Sequence, residues 1–186
     1  MTFHEKKDHQ IIRSDGKPKA PENLRNTLKK KSQGVLRRPI KTLELLTLEN
    51  LLEINDQLKE DARRDPRIEY SGDGEVQIYK LKKLIERTPK RTLSEIAAYY
   101  LKNIIILQAF PDGNHRTAFY AVETFLEKNG YGFNYTPEEA FEFRKELFKR
   151  RLREYKTYEE RPISILNEGD NQIFLFCMEF ITAHLT

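Results

Sequence analysis

Apolar side chains recur every three to five residues along most of the chain after residue 42, which is the spacing of an amphipathic helix. The first helical pattern runs from Thr42 and ends before Pro66, with apolar positions at Leu43, Leu46, Leu51, Ile54 and Leu58. A second follows in "EVQIYKLKKLIERT". Between them, "RIEYSGDGEV" alternates apolar and polar residues before Ser-Gly-Asp-Gly, which predicts a short hairpin or an irregular flap.

Local signals mark the ends of the later helices. The capping-box spacing Thr92-Leu-Ser-Glu95 opens a helix towards Gln108 whose apolar residues cover most of its circumference, so this helix is predicted to be central. Another runs through "RTAFYAVETFLEKNG" and stops at its glycine. A second capping box with proline at the first helical position predicts a helix over 137–155. A last one begins after Asp170, which gives an all-α fold of five or six helices.

The first 41 residues differ from the rest in composition. They contain three prolines, twelve basic residues against four acidic ones, and no sustained apolar period. We therefore divide the chain into a basic N-terminal arm, residues 1–41, and a helical domain, residues 42–186. Such an arm can attract nucleic acid by counterion release, although it lacks interleaved aromatics apart from Phe3 and also fits a solvated tail.

Composition sets the remaining bounds. A chain of 186 residues with 38% hydrophobic residues suits one domain with a core. The single cysteine, Cys177, excludes an internal disulfide framework, and its apolar helix places it in the core. The polar start "MTFHEKKDHQ" lacks the apolar stretch of a secretory signal, and the run Ile104 to Leu107 is too short to span a bilayer. These features predict a cytoplasmic protein without a membrane partner.

The densest chemistry lies in the five residues Asp112 to Arg116. If a helix begins at Arg116, then His115 and Arg116 lie at the positive end of its dipole, which is unfavourable by roughly 0.3 to 1 kcal/mol and calls for an anion. Gly113 permits close approach, Asn114 adds an amide, Arg116 can clamp phosphate oxygens, and Asp112 can hold Mg²⁺. On spacing alone, an ordinary turn in which Asp112 or Asn114 caps the helix remains open.

The motif "FPDGNHRTA" resembles the core of the Fic/Doc (Fido) family, H-x-F-x-D/E-G/A-N-G/K-R, which that family places between two central helices. The matching positions are Phe110, Asp112, Gly113, Asn114 and Arg116. The segment "AFYAVETFLEKNG" and the upstream flap are similar to the Doc branch. The resemblance implies a Fido-type helical bundle with a short flap or hairpin, in which Phe110 anchors the motif loop.

Family members transfer AMP or phosphate from ATP to a hydroxyl of a protein target. The resemblance therefore implies ATP or a related nucleotide and Mg²⁺ as cofactors. By position, Asp112 would bind the metal, Gly113, Asn114 and His115 would form the phosphate-binding turn, and Arg116 would contact phosphates.

The flap is implied to bind the protein target by strand-like pairing. The residues of this target-binding flap are Ile68, Glu69, Tyr70, Ser71 and Gly72. An ordinary connector is the alternative for the same segment.

Two positions depart from the family pattern. The catalytic position, where the family has its general-base histidine, holds Gln108, whose amide cannot accept a proton at a useful pH. Losing a general base typically costs about 10² to 10⁴ in rate, so weak or absent transferase activity is expected. Phe119 replaces a second arginine, and His115 stands where AMP-transferring members have glycine and Doc has lysine. Neither transfer is therefore favoured.

Other interpretations of the chain stay open. "SILNEG", residues 164–169, fits the family's inhibitory pattern S/T-x-x-x-E-G/N, but without its arginine partner we interpret the match as coincidence. A non-catalytic interaction module is the alternative function: a toxin-antitoxin-related protein with an antitoxin-like partner, or a nucleic-acid tether using the arm. A third interpretation is an active enzyme in which a residue other than the family's histidine serves as general base.

Overall fold

The computed structural model describes residues 43–65, 69–70, 72, 74–156 and 161–186. The predicted arm, residues 1–41, lies outside this part of the chain, as do Ile68 and Ser71 of the predicted flap. The described residues form six α-helices and one short 3₁₀ helix at Ile163–Asn167. The α-helices are α1 Leu48–Arg64, α2 Ile78–Glu86, α3 Leu93–Leu107, α4 Asn114–Lys128, α5 Pro137–Tyr155 and α6 Gln172–His184.

Helix α1 begins later than its apolar pattern suggested. The Thr47 hydroxyl accepts a hydrogen bond from the Asn50 backbone N–H at 3.3 Å, and the Asn50 side chain accepts one from the Thr47 N–H at 3.2 Å. This reciprocal cap starts the helix at Leu48, so the predicted start at Thr42 is wrong. Leu43 and Leu46 lie in a non-helical segment before α1, and both side chains are buried. A segment that packs on the domain needs apolar residues whether or not it is helical.

Helix α3 is the central helix, as its apolar circumference predicted. Every residue from Leu93 to Leu107 is buried except Glu95, whose carboxylate accepts from the Thr92 N–H at 3.1 Å and from the Thr92 hydroxyl at 2.8 Å. Helix α3 packs mainly against α4 and α6, while α1 covers α4 and α5 covers α6. The C-terminal end of α3 is thereby held rigidly beside the N-terminal end of α4.

The predicted bounds of α4 and α5 and the predicted flap can be compared with the structure. Helix α5 spans Pro137–Tyr155 as predicted, and Gly130 after α4 has φ +81°, the left-handed stop expected there. Helix α4 starts at Asn114, two residues before Arg116. The described flap residues form no strand, and an isolated antiparallel β-bridge joins Phe133 and Leu185 elsewhere in the described chain. The hairpin alternative falls partly on residues outside the described ranges.

Two predictions about composition can be checked on the described residues. No helix among them combines the length and the apolar character that crossing a bilayer requires. Cys177 is buried on α6, as predicted, and burial raises the pKa of its thiol to about 12. Its thiol is thus a core group without thiolate character at neutral pH.

Candidate nucleotide site

The catalytic position of the motif, Gln108, ends α3 in a left-handed conformation with φ 45° and ψ 53°. For a residue other than glycine, this backbone conformation is unfavourable by roughly 1 to 2 kcal/mol. Hydrogen bonds on both sides hold it: Lys80 Nζ donates to the Leu107 carbonyl at 3.0 Å, and the Gln77 N–H donates to the Ala109 carbonyl at 2.7 Å. The start of α2 therefore fixes the backbone of Gln108.

The Gln108 side chain is half-buried and makes no hydrogen bond with the residues that the structure describes. Its amide is therefore open to a hydroxyl of another molecule. Two residues on, Phe110 is only 3% exposed, which agrees with its predicted anchoring role. The Asn114 side chain reinforces that anchor, accepting from the Phe110 N–H at 3.0 Å and donating to the Phe110 carbonyl at 2.8 Å.

The N-cap position of α4 is held by a residue without a side chain. It is Gly113, with φ +76°, so the N-cap residue itself accepts no hydrogen bond from the first helical amides. The Asp112 carboxylate accepts from the Gly113 N–H at 2.5 Å, outside the helix, and the Asn114 side chain bonds Phe110 instead. The alternative in which Asn114 caps the helix is therefore wrong, whereas capping by Asp112 stays open. First-turn amides at a helix N-terminus of this kind can bind an anion.

The two basic residues of the motif have different surroundings. His115 is partly buried, and its charged neighbours are Arg144 and Arg151 of α5. Burial first, and those two arginines second, lower the pKa of His115 to about 4, so its imidazole is neutral at neutral pH. Arg116 instead donates from Nη2 to the Glu69 carbonyl at 2.7 Å, which leaves four of the five guanidinium N–H donors.

The described flap residues lie directly on the motif loop. The Arg116 guanidinium carbon is 6.0 Å from the centroid of the Tyr70 ring, and the Tyr70 hydroxyl donates to Asn55 Oδ1 at 3.1 Å. A Cβ added to Gly72 would come within 2.8 Å of Asp112 Cβ, so only glycine fits this approach. Three of the five predicted flap residues, Glu69, Tyr70 and Gly72, are thus placed at the candidate site.

Asn55 joins helix α1, the motif loop and α4, and the motif did not indicate it. Its Nδ2 donates to Thr117 Oγ1 at 3.0 Å and to the Asp112 carbonyl at 3.3 Å, while its Oδ1 accepts from Tyr70. Asn55 and Thr117 are both buried. A signal was present in the sequence, because Asn55 follows Leu51 by four residues and places an amide on the apolar face of α1.

The comparison with protein families agrees with this geometry. The Fic/DOC family matches residues 45–126, which extend from the lead-in of α1 through the flap, α3 and the motif loop into α4. The chain carries a Fic/DOC domain. No curated protein and no solved structure matches the chain.

The Fic/DOC domain offers one carboxylate for a metal at the motif. Asp112 is that group, and no cluster of three or more His, Cys, Asp or Glu side chains suited to a metal occurs among the described residues. Mg²⁺ in nucleotide sites is held by one or two carboxylates together with waters and substrate phosphates. The single carboxylate of the motif fits a Mg²⁺ ion that arrives with the nucleotide.

The position of the family's second arginine is apolar in this domain. Phe119 is 5% exposed and lies among aromatic rings, so no cation replaces the family's second arginine at that position. The Glu168 carboxylate of "SILNEG" accepts from the Tyr155 hydroxyl at 2.8 Å and from Asn171 Nδ2 at 3.1 Å. These contacts join Glu168 to the end of α5 and to the residue that precedes α6.

We predict that Gly113→Ala lowers the free energy of unfolding by about 2 kcal/mol, against about 1 kcal/mol for Gly130→Ala. Both glycines have positive φ, but a Cβ on Gly113 would lie 3.3 Å from Asn55 Nδ2 and from Tyr70 Cε2, whereas Gly130 has nothing within 4 Å. Urea denaturation of the two variants measures the difference. Equal losses of unfolding free energy in the two variants would mean that Tyr70 and Asn55 do not restrict the space beside Gly113.

Proposed function

We propose that the Fic/DOC domain binds ATP or a related nucleotide with Mg²⁺, and that it transfers AMP or phosphate to a protein hydroxyl weakly or not at all. One observation carries the proposal: a helix N-terminus whose N-cap is a left-handed glycine adjoins a catalytic position occupied by glutamine. The first half of this observation supports anion binding, and the second half removes the proton acceptor.

Phosphate binding would rest on backbone amides and one guanidinium. The first-turn N–H groups of α4 and the helix dipole attract a phosphate, and Arg116 adds charge-assisted bonds from its remaining donors. Asn114 and His115 would contribute through their backbone N–H groups, because the amide side chain of the first holds Phe110 and the imidazole of the second is neutral at neutral pH.

Asp112 is the residue that would hold Mg²⁺. When bound, the ion supplies neutralisation of the nucleotide's phosphate charge. The Asp112 carboxylate is held at the loop by the Gly113 N–H, which positions it before any nucleotide arrives.

Gln108 would orient the attacking hydroxyl without activating it. Its amide can donate to or accept from the target hydroxyl, but the proton that the hydroxyl must lose has no acceptor at this position. The flap residues Glu69, Tyr70 and Gly72 would hold the target segment, since they already lie on the motif loop. Slow or absent transfer follows from intact binding combined with a missing base.

Calorimetric titration with ATP and Mg²⁺ tests the binding half of the proposal. We expect saturable binding to the unmodified chain and a loss of about tenfold to a hundredfold in affinity in Arg116→Ala, since charge-assisted hydrogen bonds contribute about 1.5 to 3 kcal/mol. Arg153→Ala, at an exposed arginine of α5, is the matched control and should bind like the unmodified chain.

Two results would contradict the proposal. Equal affinity in Arg116→Ala and the unmodified chain would place the nucleotide elsewhere. Absence of binding in both proteins would mean that the motif has only a structural role. It would favour a non-catalytic interaction module, which binds an antitoxin-like partner or binds nucleic acid through the arm. In that case binding to DNA should weaken steeply with salt and disappear when residues 1–41 are deleted.

A further inference from the structure

A cleft lies against α3, and none of the residues that line it belongs to the motif loop. Its volume is about 160 Å³, enough for several water molecules or one small organic molecule. The connection between α2 and α3 forms one wall, and residues 166–170, which include part of "SILNEG", form another. Two consecutive residues of α3, Lys102 and Asn103, line it from the core side.

Lys102 brings a buried amine to this cleft. It is only 2% exposed and makes no ion pair with any described residue. Burial lowers the pKa of Lys102, while the carboxylates of Glu168, Glu154 and Asp170 act on it from a distance and oppose that change. A carboxylate in direct contact with the amine would offset the cost of burying its charge.

Asn103 brings a buried acceptor to the same cleft. It is also 2% exposed, and its Nδ2 donates to the Tyr99 carbonyl at 2.9 Å. Its Oδ1 is fully buried and accepts no hydrogen bond from the described chain. A buried acceptor left unpaired is unfavourable, so a donor in the cleft would stabilise the domain.

The arginines of the cleft already have partners. Arg91 pairs with Asp170 at 2.5 Å and lies 5.6 Å over the Phe174 ring, while Arg87 donates to Asn167 Oδ1 at 3.2 Å. The groups still needing a partner are therefore a cation and an acceptor, next to each other and inside a small volume. A complementary molecule needs an anionic group and a hydrogen-bond donor only a few bonds apart.

We propose that this cleft is a binding site for a small carboxylate that also carries an amino or hydroxyl group, that is, an amino acid or a hydroxy acid. The ligand carboxylate contacts Lys102 Nζ, and its amino or hydroxyl group donates to Asn103 Oδ1. The apolar part of the molecule lies towards the Phe174 ring. This site is independent of the nucleotide site at the motif loop.

The test is calorimetric titration of the full chain with L-serine and with lactate. Acetate, which lacks the donor, and ethanolamine, which lacks the carboxylate, are the matched ligand controls. We expect serine or lactate to bind saturably, and acetate and ethanolamine to bind at least about tenfold more weakly. Lys102→Met and Asn103→Leu should each weaken binding by about tenfold or more, whereas Lys90→Met, at an exposed lysine beside the cleft, should not.

A second readout keeps the proposal testable if Lys102→Met does not fold. In the unmodified chain, titration with serine should shift the nuclear magnetic resonance signal of the Lys102 ε-carbon, and acid titration should show the pKa of this amine rising when serine is bound. Three results would overturn the proposal: no binding by serine or lactate, binding unchanged in Asn103→Leu, or binding without a shift of the Lys102 signal.

Discussion

Gln108→His is expected to raise transfer of a nucleotide-derived group to a protein hydroxyl by about 10² to 10⁴, the usual contribution of a general base. The imidazole would take the proton that the Gln108 amide cannot accept. The backbone is suited to the change, because histidine is several-fold enriched among residues with positive φ and position 108 has φ 45°. Parallel assays with ATP labelled at the α-phosphate and at the γ-phosphate would measure the rate and distinguish AMP transfer from phosphate transfer.

Gln108→Asn is the matched control for this gain. Asparagine also tolerates the left-handed conformation but retains an amide, so the variant relieves backbone strain without adding a base. It should remain as slow as the unmodified chain. An inert Gln108→His variant that still binds ATP would show that the missing base is not what limits transfer. Steady turnover by the unmodified chain would show that another group serves as base.

The sequence predicted best those features that have a local cause. The caps at Thr92 and Thr136 each involve a residue three positions away, and both helices begin where the spacing indicated. The start of α1 was placed too early because Leu43 and Leu46 have the apolar character of a helix face although they lie in a non-helical lead-in. The spacing of apolar residues indicates which side chains are buried, and a buried segment need not be helical.

At the site, the motif indicated which residues meet but not how they are arranged. Asn55 bonds Thr117 and the Asp112 carbonyl across 62 and 57 positions of sequence, and Lys80 reaches the Leu107 carbonyl across 27. No local spacing predicts contacts of this kind, since they depend on how helices pack. The surroundings of His115 have the same origin, because the arginines that act on its imidazole come from α5.

Acid is expected to destabilise the domain through His115. In the unfolded chain a histidine titrates near 6.5, whereas burial and the charges of Arg144 and Arg151 lower the pKa in the folded domain to about 4. Between these two values the unfolded state binds more protons than the folded domain. The contribution of His115 to the free energy of unfolding is therefore fully present above about pH 6.5 and is lost as the pH falls from there to about 4. The full loss from this group is about 3 kcal/mol.

Urea unfolding at a series of pH values between 7 and 4 would measure this loss against His115→Gln, which cannot take up a proton. Carboxylates titrate in both proteins, so the difference between their profiles isolates the imidazole. We expect the variant's free energy of unfolding to fall by about 3 kcal/mol less over this range. Parallel profiles for His115→Gln and the unmodified chain would mean that folding leaves the pKa of His115 near 6.5, and the imidazole would then offer phosphate a second cation beside Arg116 only below about that pH.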